Sequence, residues 1–279
     1  MDATEFRQRS RAVWEAMAPG WDTRHAYFEE IARPVTDLML ERLAPERGQT
    51  ILDLAAGTGV AGFAAAGLVG DDGRVIVSDF AEQMVDAATR HAARLELTNV
   101  ECRVLDAEQL DLADGAVDGV ICRWGYMLMA DPAAAFRETR RVLRPGGRLA
   151  FAVFTGPDEN PWGSLPAAVL VERGHMPPPE AGAPGLFALA GRDRLSGLLA
   201  EAGFSQPRFE EVAFTWRFAD ADAFWTFLNE AAGAITIVLD RLDDDERLHA
   251  GQEIRRRVEA FAGPNGVELN GVSLVASVT

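Results

Sequence analysis

The sequence predicts an α/β protein built on a largely parallel sheet. Three features carry that expectation. Short apolar runs recur at intervals of roughly 25 residues, and stretches with helical periodicity fill the gaps, as βαβ units require. The first run ends in an acid and a glycine-rich turn, the way an open α/β sheet receives a nucleotide-like ligand. The 279 residues, 48% of them apolar, suffice for one large core with an elaboration.

Residues 1–45 read as an N-terminal helical cap. Phe6, Val13, Trp14 and Met17 have helical spacing and predict a short amphipathic helix before Pro19-Gly20. A second helix is expected from Phe28 to Leu43, with Pro34 marking its start or a kink. Together with Trp21 and Tyr27 these elements would cover the sheet or close over a ligand.

Residues 46–155 alternate regularly. Strands are expected at Ile51–Leu54, Val75–Ser78, Val100–Leu105, Val117–Cys122 and Arg148–Phe154. Helices follow the first run (Val60–Val69), the second (Ala81–Leu95, with Met84, Ala88 and Leu95 inward) and the fourth (Pro132–Leu143). Residues 156–190 are rich in proline, with Pro177-Pro178-Pro179 together, and read as a long irregular insertion. Residues 191–279 return to the pattern with a helix, Arg192–Ala202, and strands at Phe209–Phe218 and Val267–Val278. Between these strands lies a helical insertion, 220–262, which could be a lid or a homodimerisation arm.

The chain turns on Thr50–Gly62, T-I-L-D-L-A-A-G-T-G-V-A-G. Its glycines let a ligand approach the backbone, and a helix start supplies free N–H groups. Gly57, Gly59 and Gly62 satisfy G-x-G-x-x-G, and Asp79 stands where a dinucleotide enzyme keeps its ribose-binding acid. An NAD(P)-dependent oxidoreductase is therefore one reading. The spacing before the glycines favours another, because Asp53 closes the strand and gives D-x-A-x-G-x-G.

That form resembles the first motif of the class I S-adenosylmethionine-dependent methyltransferases, in particular the ubiquinone and menaquinone biosynthesis group. Leu143-Arg144-Pro145-Gly146-Gly147 resembles the same family's turn before its fifth strand, and the likeness covers about residues 35–155. The resemblance implies a Rossmann-like seven-stranded sheet in the order 3-2-1-4-5-7-6, its seventh strand antiparallel, with helices on both faces and lid insertions. It implies S-adenosyl-L-methionine as cofactor. Asp53, Ala55, Gly57, Thr58 and Gly59 would hold the methionine end and ribose, with Asp79 on the ribose hydroxyls and Phe80 and Met84 against the adenine. Asp106, Ala107 and Glu108 would meet the adenine edge. Arg123, where many relatives carry His or Asn, would face the methionine carboxylate or the acceptor, and Tyr27 would cap the cofactor. Asp79→Ala is expected to weaken cofactor binding and leave the fold intact.

The implied activity is methyl transfer to a small, apolar or aromatic acceptor through O, N or C; a methyltransferase-like binding subunit without turnover is the non-enzymatic alternative. A base matters only for an acceptor that must lose a proton, and His25 and His175 are the candidates. His91 reads as a solvated helix-face residue. Phe224, Trp225, Phe227 and Leu228 would line an acceptor pocket or pack in the core. The four histidines lack metal-ligand spacing, so no metal is expected. A net charge of −16 argues against a nucleic-acid surface. The chain has no Lys, so no Lys-dependent step is available to it. No run is long and apolar enough to suggest a membrane span, and Cys102 and Cys122 read as free thiols of a cytoplasmic protein.

Overall fold

In the computed structural model, which describes residues 3–180 and 182–279, two helices precede the first strand: α1 (Ala3–Thr23) and α2 (His25–Leu43). The core follows as β1 (Thr50–Leu54), α3 (Val60–Val69), β2 (Arg74–Asp79), α4 (Glu82–Arg94), β3 (Val100–Val104), β4 (Val117–Arg123), α5 (Pro132–Val142) and β5 (Leu143–Phe154). Then come α6 (Pro161–Glu172), α7 (Arg192–Glu201), β6 (Arg208–Phe218), α8 (Ala221–Ala231), α9 (Ala234–Leu239) and α10 (Asp244–Val258). The short β7 (Ala262–Gly263) and the long β8 (Gly266–Val278) close the chain.

The long strands form one sheet in the order β3-β2-β1-β4-β5-β8-β6, with β7 paired to β8. Counting long strands only, this is 3-2-1-4-5-7-6. Strands β1–β5 run parallel, whereas β8 is antiparallel to both β5 and β6. Ile51, Leu52 and Leu54 of β1 are all buried, because helices cover both faces of a parallel sheet. The chain order reverses between β1 and β4, so a crevice opens beyond their carboxyl ends.

Several local expectations give way to packing. Helix α1 continues through Pro19 and α2 through Pro34. An interior proline costs about 3 kcal/mol in a free helix. Here the loss is offset by burial: Met17 and Ala18 flank Pro19, and Ala32, Val35, Met39 and Leu43 line the inner face of α2. The proline-rich segment is partly ordered as α6, which starts on Pro161 and contains Pro166. Leu95 lies outside the core, 57% exposed, because α4 has ended and Glu96 turns the chain at positive φ. In the helical insertion, Phe224, Phe227 and Leu228 are buried core residues. Among the described residues no helix is long and apolar enough to cross a membrane.

Candidate active site

The crevice is an open-mouthed cavity walled by residues of α1 and of the ends of β1, β2, β3 and β4. Strand ends build its floor: Asp53, Ala55 and Gly57 at the end of β1, Asp79 and Phe80 at the end of β2, Asp106, Ala107 and Glu108 after β3, Arg123 and Trp124 at the end of β4. Met84 of α4 also lines it.

The backbone here is bent hard. Ala55 (φ 53°) and Trp124 (φ 62°) adopt left-handed conformations without being glycine, a cost found where a site dictates the geometry. Gly59 (φ 93°) opens α3. A Cβ on Gly62 would stand 2.6 Å from Val77 Cγ2 and 2.8 Å from Asp53 Oδ2, so only glycine lets α3 pack this close to the sheet.

Two buried carboxyls organise the turn. Asp79 accepts the Gly57 N–H through Oδ2 (2.9 Å) and the Ala81 N–H through Oδ1 (3.0 Å), which ties the glycine turn to the entrance of α4. Burial pushes its pKa up to about 6 against these bonds. Asp53 accepts the Gly62 N–H through Oδ2 (2.6 Å), while its Oδ1 is buried with no partner. Burial raises Asp53 to about 7, although the Arg123 charge pulls the other way. The half-buried Arg123 guanidinium donates to Thr36 Oγ1 (2.8 Å), lies 5.1 Å over the Trp124 ring, and is lowered to about 10 by desolvation. Asp53 thus offers a bare carboxylate oxygen, and Arg123 a cation with few partners, in one cavity.

Helix α1 roofs this floor. Phe6, Arg7, Ser10, Trp14 and Trp21 all line the cavity. Arg7 Nε donates to Glu108 Oε2 (2.8 Å), and Glu108 Oε1 accepts the Ala130 N–H (2.8 Å), so Glu108 anchors the roof as well as lining the floor. The Glu15 carboxylate accepts the Glu82 and Gln83 N–H groups and thereby caps α4. Trp21 donates to the Ala231 carbonyl (3.1 Å), and Arg24 pairs with Glu230 of α8. Positions 7, 10, 14 and 21 share one helical face, although the amphipathic helix expected from the sequence groups only Phe6, Val13, Trp14 and Met17 by helical spacing.

Other expected site residues lie elsewhere. Tyr27 does not line the cavity; its hydroxyl donates to the Arg217 carbonyl (3.0 Å) among Trp216, Phe218 and Phe227, so Trp14 and Trp21 supply the aromatic cover instead. Thr58 and Gly59 shape the turn from outside the cavity wall. His175 is not in the wall: Nε2 stands 2.7 Å from Glu246 Oε2 of α10, without hydrogen-bond alignment. His25 is not in the wall either, and its Nδ1 lies 2.9 Å from Thr58 Oγ1. His91 is no solvated face residue, since its ring stacks on His25. Among the described residues, no group of three His, Cys, Asp or Glu is placed to hold a metal.

Comparison with known proteins fits this geometry. Residues 45–168 match a family profile described as a methyltransferase domain. A demethylmenaquinone methyltransferase of Clavibacter sepedonicus is 30% identical over 195 residues, which cover 70% of this chain and 74% of that one. The chain belongs to the class I S-adenosylmethionine-dependent methyltransferases. A nocamycin O-methyltransferase of Saccharothrix syringae is similar over more of its length, 29% over 264 residues, covering 90% of this methyltransferase and 91% of that one. The fold matches a solved S-adenosylmethionine-dependent methyltransferase of Aquifex aeolicus with a TM-score of 0.51, 20% identity, and coverage of 76% and 93%. Other curated relatives, 36–39% identical, are matched over only 41–46% of their length.

Membership brings S-adenosyl-L-methionine as cofactor, and the residues present fit it. The unpartnered Asp53 oxygen and the Arg123 guanidinium complement an amino-acid ammonium and carboxylate. Each Asp79 oxygen keeps a second lone pair for a ribose hydroxyl.

Proposed function

We propose that the protein transfers the methyl group of S-adenosylmethionine to a small, planar, apolar acceptor by in-line displacement. The observation that carries this reading is that buried Asp53, with one oxygen unpartnered, and half-buried Arg123 face one cavity beside aromatic and aliphatic side chains such as Phe6, Trp14, Trp21 and Met84. When bound, the cofactor supplies a methyl group on a cationic sulfur, electrophilic enough to need no metal.

The chain's own residues then have to bind, orient and dry the site. Asp53 and Arg123 would hold the two charged groups of the methionine end, Asp79 the ribose, Phe80 and Met84 the adenine faces, and Asp106 the adenine edge. With that end fixed near β4, Trp124 and Gly125 border the space where an acceptor atom has to stand. The roof of Trp14, Trp21 and Phe6 excludes water as the positive charge disappears. Fixing both reactants in line supplies much of the rate. The likeness to proteins named demethylmenaquinone methyltransferase and nocamycin O-methyltransferase supports a small-molecule acceptor, methylated on oxygen in the second case.

Calorimetric titration with S-adenosylhomocysteine, and separately with NADH, tests the cofactor half of the reading. Micromolar binding of the former alone is expected. Tight NADH binding without a homocysteine signal would refute it. Transfer of labelled methyl to a panel of quinols, phenols and acidic enols then tests the acceptor class.

A further inference from the structure

Asp22 lies in the last turn of α1, His25 opens α2, and Arg24 between them leaves the helical conformation, so a joint sits here. That joint is fastened to the cofactor-binding core by side chains outside the cavity. Asp22 Oδ1 stands 2.7 Å from His91 Nε2, and Asp22 Oδ2 accepts from Arg90 (2.7 Å). Arg94 lies 2.7 Å from His91 Nδ1, which leaves that nitrogen the acceptor and Nε2 the proton carrier toward Asp22. The His25 ring stacks on His91 with centroids 3.7 Å apart and planes 15° from parallel. Its Nδ1 reaches Thr58 Oγ1 at 2.9 Å, and Thr58 is buried between Gly57 and Gly59.

We infer that His25 is a positioning residue: through Thr58 it couples closure of α1 over the cavity to the shape of the glycine turn that receives the cofactor. The inference rests on reading the cavity as the S-adenosylmethionine site. It gives His25 a task other than general base, since the imidazole is outside the cavity wall and its Nδ1 is engaged. The groups facing it are His91, Arg94 and Arg123, which with burial hold it at about 4, and Asp22, which opposes them. The ring is therefore neutral at working pH, so its bond to Thr58 persists. Opening α1 while the joint stays clamped would pull on Thr58. Once the clamp is released, the turn and the roof move independently.

The test is S-adenosylhomocysteine titration of the full chain and of His25→Ala, His25→Asn, Thr58→Val and the His25→Ala/Thr58→Val double variant. Loss of one neutral hydrogen bond predicts about 3- to 10-fold weaker binding in His25→Ala and in Thr58→Val. The double variant should be no weaker than either single one, and His25→Asn should recover affinity because its amide sits where Nδ1 does. In turnover the loss should appear in the cofactor KM, and ligand should cease to protect α1 from protease in His25→Ala. Additive single losses, or a collapse of kcat at unchanged KM, would overturn the inference while leaving the cofactor site standing. A wild type that binds no S-adenosylhomocysteine would overturn the site itself, and the inference with it.

Discussion

Replacing Asp53 by Asn should make the empty protein more stable and the cofactor complex weaker. Asp53 is 1% exposed, and its carboxyl stands at about 7 against an ordinary 3.8. Because the native pKa is raised, the folded state keeps a proton that the unfolded chain has released. Stability present below about pH 4 is therefore lost as pH rises to about 7, on the order of 4 kcal/mol in all. The amide oxygen of Asn can still accept the Gly62 N–H, and no charge remains to desolvate. The new amide N–H group, left unpaired where Oδ1 was, returns about 1–3 kcal/mol of that gain. The net expectation is a variant more stable than wild type by about 1–3 kcal/mol near pH 8 and no more stable near pH 5. Urea unfolding of both proteins without ligand across that range measures it. Asp79 contributes a similar slope to both and cancels. In the same preparations S-adenosylhomocysteine should bind about 10- to 100-fold more weakly to Asp53→Asn, through loss of a charge-assisted bond. Parallel pH slopes for the two proteins, or a variant that binds like wild type, would refute the reasoning.

Asp79→Ala should lower the unfolding free energy by about 2–4 kcal/mol as well as weaken cofactor binding, since it strands the Gly57 and Ala81 N–H groups; an unchanged denaturant midpoint would contradict this. Gly62→Ala should cost about 1–3 kcal/mol in urea unfolding through its clash with Val77 and Asp53, with less soluble protein as the simplest sign. Arg7→Ala should speed S-adenosylhomocysteine dissociation by less than about fivefold, because Arg7 is partly exposed. It should also flatten the salt dependence of that rate, which stopped-flow fluorescence of Trp14 and Trp21 can follow.

The floor of the site was legible because its chemistry is local. The Asp53 to Gly62 spacing, Asp79 at a strand end and the Asp106 to Glu108 turn each sit within a few residues of a strand that periodicity locates. The roof was harder to read. Pro19 reads as the end of a helix and Pro34 as the start of one or a kink, yet both lie inside helices whose buried faces outweigh a proline's local cost. Once α1 is allowed to run to Thr23, Arg7, Ser10, Trp14 and Trp21 fall on one face. Tyr27 and His175 misled for a related reason: residue type suggested chemistry, but Tyr27 points into the aromatic cluster near Trp216, and His175 faces Glu246. Nothing near His25 or His91 announces that they meet, because sixty-odd residues and two strands separate them.

The anchoring of Trp21 and Arg24 to Ala231 and Glu230 has a consequence for how the protein is made. These contacts span more than two hundred residues, so the helix that emerges early from the ribosome cannot dock fully until α8 has been synthesised. Meanwhile the β1–β5 unit can already pair, and its cavity floor exists before its roof. A nascent chain therefore has an interval in which α1 can lay Trp14 and Met17 on the start of α4 but lacks its anchors on α8, the stage at which chaperone dependence and aggregation should concentrate.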